Sequence, residues 1–134
     1  MNELELSEKI VADVLVKLFE HGLTGIDIKR PSDITDTEVD SEKFMSIMNW
    51  LKSEKLIYFD FIDTSHMQGR SAIYRRTVFT IHGFASMGHE FGVIKNLTIG
   101  QAAKKVSEDG SNFASAGDFV GGLLGGFTKS ISTS

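Results

Sequence analysis

Residues 41–84 read SEKFMSIMNWLKSEKLIYFDFIDTSHMQGRSAIYRRTVFTIHGF. Phe44, Ile47, Met48 and Leu51 fall at i, i+3, i+4 and i+7, the spacing of one buried helix face. Asp40 or Ser41 stands where a cap is needed, and Glu42 and Lys43 follow in the first turn. Lys55-Leu56 ends this helix. Leu56 to Asp63 is rich in β-branched and aromatic residues, which predicts a strand. Thr64 to Ser71 is polar, contains Gly69 and reads as a hairpin tip. Ala72 to Ile81 predicts the returning strand, with Tyr74, Val78 and Ile81 among its apolar residues. Thr80 reads as the cap of a closing helix that runs through Phe84, Met87 and Phe91.

Upstream, Leu6, Ile10, Val14 and Leu18 step by four, and Val11, Leu15 and Phe19 form an adjoining ridge. So wide a stripe predicts a first helix covered on more than one side, capped by Ser7 and running to His21, with Gly22 at its C-terminus. Leu23 to Ile28 alternates and predicts a short first strand. Lys29 to Asp40 contains Pro31, several β-branched residues and only Ile34 and Val39 as apolar anchors. It reads as a loop or one short turn, where a helix-turn-helix protein has a helix. The expected core is Leu15, Leu18, Phe44, Ile47, Leu51, Ile57 and Phe59.

The chain has 134 residues, 41% hydrophobic and 24% charged, which suits one soluble domain or a small domain with an appendage. It contains no cysteine, so disulfides and thiolate metal sites are excluded and a reducing, cytoplasmic setting is expected. The acidic N-terminus MNELELSEK does not read as a secretory signal, and no uninterrupted apolar run is long enough for a membrane span. The net charge of −4 is unevenly spread: residues 1–63 sum to −7 and residues 64–134 to +3. Between Thr64 and Lys105 the only acid is Glu90, against Arg70, Arg75, Arg76, Lys95, Lys104 and Lys105. This is either a pair of solvated faces of opposite sign or a wing that meets an anionic partner while the first helix meets another.

Beyond Gly92 the character changes. Leu97 to Glu108 predicts a helix with Ile99, Ala102, Ala103 and Val106 on its apolar side, broken by Asp109-Gly110. Then follows SNFASAGDFVGGLLGGFTKSIS, in which Gly117, Gly121 and Gly125 are spaced by four, as are Gly122 and Gly126. On a helix such glycines align as grooves that admit another backbone. Each also costs about 1 kcal/mol of helix propensity relative to alanine, so a helix here needs a partner. Three readings stay open: a mobile tail, a close-packed helix for self-association as a homodimer, and a membrane-active segment. Asp118, Lys129 and an apolar core of only nine residues, Phe119 to Phe127, count against the last.

No motif for catalysis is evident. His21, His66, His82 and His89 lack ligand spacing, and there is no GxSxG, P-loop or GxGxxG. No enzyme activity, cofactor or metal is expected.

The segment MNWLKSEKLIYF, helix into strand, and YRRTVFTIHGFASM, strand into helix, resemble the winged-helix superfamily. The second is similar to the Y-x-L-T-x-x-G ending of many small bacterial and phage winged-helix proteins. Loss of the middle helix together with a small-residue tail is similar to uncharacterised phage or prophage families of that type. The resemblance covers about 80 residues. It implies an α+β winged helix, ordered helix, short strand, helix, two-stranded wing and closing helix, over residues 1–91. A helical, glycine-rich C-terminal extension occupies 92–134.

In such a domain the exposed side of the second helix and the wing make the contacts. Here those positions are Met45, Ser46, Asn49, Trp50, Lys52 and Ser53 on the helix, and His66, Arg70, Arg75 and Arg76 on the wing. Ser46, Asn49 and Lys52 are types that read base edges. Asp40 and Glu42 at the entering end repel phosphate, and Met45 and Trp50 on a polar face suit a protein interface. Trp50 packing over the wing is the alternative. The expectation is a cytoplasmic, non-enzymatic protein acting through a protein partner, such as a phage or mobile-element modulator of a host complex. The alternatives are a dimeric regulator that binds duplex DNA and a membrane-associated factor using the tail.

Overall fold

The computed structural model describes residues 3–63, 72–88 and 98–109. In chain order these form helix α1 (Glu3–His21), strand β1 (Ile26–Ile28), a 3-10 turn (Pro31–Asp33), helix α2 (Ser41–Ser53), strands β2 (Ile57–Asp63) and β3 (Ala72–Phe79), and helices α3 (Ile81–Ser86) and α4 (Ile99–Asp109). The fold is α+β. The strands make one antiparallel sheet in the order β1-β3-β2.

Each helix end has a local cause. Gly22, at φ 60°, closes α1 with its N–H on the Phe19 carbonyl. Asp40 caps α2 by accepting from the Lys43 N–H at 2.8 Å. At the far end Lys55 takes φ 62°, its N–H bonds the Lys52 carbonyl, and the Leu56 N–H reaches back to the Leu51 carbonyl at 3.0 Å. That is a Schellman ending with lysine in the left-handed place usually given to glycine. Thr98-Ile-Gly-Gln101 opens α4 as a reciprocal capping box: the Gln101 N–H donates to Thr98 Oγ1 at 3.1 Å and the Thr98 N–H to Gln101 Oε1 at 2.9 Å.

The expected core residues are all buried, and they meet in one cluster. Ile10, Val14, Leu15 and Leu18 of α1 face Phe44, Met48 and Leu51 of α2 and Ile28, Ile57, Phe59 and Tyr74 of the sheet. Tyr74 is the aromatic hinge of this core, edge-on to Phe44, Phe59 and Phe61. Burial pushes its phenol up to about 12. The helix α4 packs along α1 and adds Ile99, Ala102, Ala103 and Val106 to the same cluster.

Several expectations are corrected. Helix α1 starts at Glu3, so Ser7 does not cap it. Instead the Ser7 hydroxyl donates to the Glu3 carbonyl one turn back, at 3.0 Å. Ile81 does not end the returning strand. Strand β3 stops at Phe79, and Ile81 opens α3 with 88% of its surface exposed. Phe19, expected on the buried ridge, is half exposed and stacks on Phe84. The closing helix α3 ends at Ser86, and Phe91 lies outside the described residues. So do the hairpin tip 64–71 and the segment 110–134.

Two tertiary ties stand out. The first is the buried carboxylate of Asp13. It accepts from Lys9 Nζ at 2.7 and 2.9 Å, from the Thr35 hydroxyl and from the Ser107 hydroxyl at 2.6 Å. One side chain thus holds the loop before α2 and the last turn of α4 to the middle of α1. Asp13→Ala leaves the part-buried Lys9 ammonium only its 3.7 Å contact with exposed Asp36, takes the acceptor from two hydroxyls, and should cost about 3 kcal/mol in denaturant unfolding. A cost near zero would show that the network is not what fixes α4.

The second tie is at Gly83. A Cβ there would lie 1.9 Å from the Leu56 carbonyl oxygen, so only glycine lets α3 sit against the start of β2. Thr80 completes the junction: its N–H donates to the Leu56 carbonyl, its hydroxyl bonds the Lys55 carbonyl, and the same oxygen accepts from the Gly83 N–H at 2.9 Å. Gly83→Ala should lower stability by about 1–3 kcal/mol or more. Gly88→Ala, whose Cβ would make only ordinary contact at 3.7 Å, should stay within about 0.5 kcal/mol. Equal chemical-denaturation midpoints for the two variants would show that the close approach imposes no constraint.

Candidate binding surface

The surface expected to make contacts is the outer side of α2 with the hairpin beside it. On α2, Ser46, Asn49, Lys52 and Ser53 are exposed. The hydroxyls of Ser46 and Ser53 fold back on the helix, donating to the Glu42 and Trp50 carbonyls at 3.1 and 2.8 Å. Met45 and Trp50 do not stand free. Both are half-buried and pack against the core, because α2 has the sheet on one side and α1 on the other. Of the expected face, Asn49 is thus the exposed amide with most freedom to meet a partner.

Three cations of this surface are committed. Lys43 Nζ pairs with Glu3 at the start of α1. Lys52 Nζ donates to the Phe59 carbonyl at 3.2 Å and sits over the Phe59 and Tyr58 rings, 4.6 and 5.3 Å from their centroids. Arg76 lies at φ 52°, where the β2–β3 and β1–β3 registers both slip. Its backbone N–H donates to Asp27 Oδ1 at 3.0 Å, and its guanidinium grips Asp60, Nε to Oδ2 at 3.0 Å. Asp60 Oδ1 also accepts from the Tyr58 hydroxyl at 2.9 Å.

Four residues from three strands therefore share one network on the outward face of the sheet. Its electrostatics are consistent. The Arg76 guanidinium, helped by the Tyr58 hydroxyl, holds the Asp60 carboxyl below the usual carboxylate range. The hydrogen bond to Asp60 raises the Tyr58 phenol, and Asp60 raises Arg76. Arg75 is exposed and faces Asp60 across the ladder. His66 and Arg70, the other expected wing residues, and Gly117, Gly121, Gly122, Gly125 and Gly126 of the tail lie outside the described residues.

Sequence reasoning missed this network. Asp60 and Arg76 are distant in sequence, and only the hairpin register brings them together. It also missed the open cleft of about 640 Å³ in the segment between β1 and α2, lined by Thr35, Asp36, Glu38, Val39 and Asp40. The entrance to α2 is thereby acidic. Among the described residues no group of three or more His, Asp or Glu is placed to hold a metal ion, and no helix is long and apolar enough to cross a membrane. No protein-family model matches the chain, and no curated protein or solved structure matches it either.

The sign of the Asp60 effect follows from linkage. A carboxyl lowered in the folded state contributes stability above its unfolded value of about 3.9, and that contribution is lost as pH falls through the folded value. Lowering pH from 7 to 3 should therefore cost the native chain more stability than it costs Asp60→Asn. Denaturant midpoints at the two pH values give the comparison. Equal losses would show that the Asp60–Arg76 pair contributes nothing.

Proposed function

We propose that the chain is a non-enzymatic binding module of the winged-helix type that acts through a protein partner met by α2 and the hairpin. What supports the winged-helix reading is the element order helix, strand, helix and two-stranded hairpin, with β3 between β1 and β2. The single observation that favours protein over DNA is the commitment of Lys43, Lys52 and Arg76 to Glu3, the Phe59 carbonyl and Asp60. A phosphate backbone needs cations free to displace condensed counterions. Here each must first leave an internal partner. The acids Asp36, Glu38 and Asp40 at the entrance to α2 add repulsion.

Gel shift on random duplex at low salt is the test. The expected outcome is no shift. Conversely, a salt-sensitive shift that weakens when Arg70, Arg75 and Arg76 are changed together to Ala makes the chain a DNA-binding regulator and removes the protein reading. A photo-crosslinking residue at Asn49 supplies the positive arm. It should capture a partner whose yield falls when Ser46 is changed to Arg, while crosslinking from Lys17 of α1 stays empty.

A further inference from the structure

The pleat of the hairpin turns Tyr58, Asp60 and Ile62 of β2 away from the helices, while Ile57 and Phe59 enter the core. The register sets Tyr58 beside Val78, Asp60 beside Arg75 and Ile62 beside Ile73. The outward face therefore carries three rows: an apolar pair, an acid beside a base, and a second apolar pair. Tyr58 is 50% exposed and Ile62 38% exposed. The Arg75 side chain makes no ion pair or hydrogen bond with another described residue, unlike that of its neighbour Arg76.

We propose that this outward face of the β2–β3 hairpin is an interface on which a second copy of the chain docks, face to face, about a two-fold axis parallel to the strands. The charge pattern selects that axis. Rotation about a line between the two strands lays β3 of one copy over β2 of the other. Each Asp60 then meets the second copy's Arg75, Tyr58 meets Val78, and Ile62 meets Ile73. A two-fold across the strands sets Asp60 on Asp60 and Arg75 on Arg75, which like-charge repulsion forbids. The pattern is thus self-complementary in the way an isologous contact requires. The face spans strands of 7 and 8 residues, roughly 20 Å by 10 Å. That is well below the ~800 Å² per partner of a stable interface, so the association is weak, concentration-dependent and weakened by salt.

This surface is independent of the glycine-rich tail, and it shares the hairpin, though not α2, with the partner contact proposed above. Sedimentation equilibrium of the full chain over a concentration series at low salt tests it. The native chain should dimerise, Arg75→Glu and Ile62→Arg should each weaken the dimer at least tenfold, and Arg75→Lys should retain it. Both disruptive positions are exposed to solvent, and far-UV circular dichroism with a thermal melt verifies that each variant is folded. Gly121→Leu should leave the association unchanged. A native chain that stays monomeric at the highest concentration overturns the proposal. So does a dimer that survives Arg75→Glu and Ile62→Arg but is lost in Gly121→Leu, since that assigns self-association to the tail.

Discussion

The backbone of Gly83 passes so close to the Leu56 carbonyl that one methyl group would sit 1.9 Å from its oxygen. Everything that gives this molecule a defined surface runs through that junction. Helix α2 ends there in a Schellman turn, β2 begins there, β3 arrives at Thr80, and α3 departs from the same cap. Four elements are fixed by a few backbone bonds, two hydroxyl contacts and one absent side chain. The consequence is orientational. Helix α2 cannot turn relative to the hairpin without breaking the Thr80 contacts with Lys55 and Leu56. The side chains of α2 and those of the outward sheet face are therefore presented at a fixed angle. Burying Leu51 and Leu56 around the turn offsets the cost of holding Lys55 in left-handed geometry.

Charge works differently from what its bulk distribution suggests. The basic excess after residue 64 invites a reading of the hairpin as a phosphate-binding wing. In the folded chain the Arg76 guanidinium is held by Asp60 while its backbone N–H donates to Asp27, and Lys52 lies along the edge of β2, bonded to a strand carbonyl and over two rings. A lysine in that position also blunts the edge against unwanted strand pairing. The Arg76 contacts are exposed and the Lys52 contact part-buried, and each is individually weak, on the scale of surface ion pairs. Their importance lies in tying Lys52 and Arg76 to partners within the chain, while the side chain of exposed Arg75 has no such partner among the described residues.

How much of this was legible in the sequence depends on the range of the interaction. Periodicity found the buried faces of α1, α2 and α4, because Phe44, Ile47, Met48 and Leu51 repeat with the helical period whatever they pack against. Caps were legible where the residue could serve only one end, as with Asp40, Thr80 and Gly22. Ser7 misled because helix former residues precede it, and propagation past it to Glu3 costs less than stopping. The packing of Trp50 and Met45 against the core was not legible from a helical wheel, which knows one neighbour, whereas α2 is flanked by both α1 and the sheet. Asp13 was illegible for a plainer reason. Its partners Thr35 and Ser107 are 22 and 94 residues away, and no local pattern encodes them. Asp60 with Arg76 stands between these cases, since the pair follows from the hairpin register once the slip at Arg76 is known.

The Asp13 network also bears on how the C-terminal part of the chain relates to the rest. By composition, α4 belongs with the glycine-rich segment that follows it. By contact it belongs to the core, through Ile99, Ala102, Ala103 and Val106 and through the Ser107 hydroxyl on Asp13. The alanines at 102 and 103 let α4 lie close along α1, and a bulkier pair would hold the Ser107 hydroxyl out of reach of its carboxylate. The same Asp13 oxygens hold Thr35, whose hydroxyl in turn accepts from the Thr37 N–H at 3.1 Å and orders the acidic loop before α2. The loop before α2 is thus fastened to α1 at the carboxylate that fastens α4. Loosening either attachment leaves a buried charge with fewer partners, which opposes the loosening and couples the C-terminal helix to the entrance of α2.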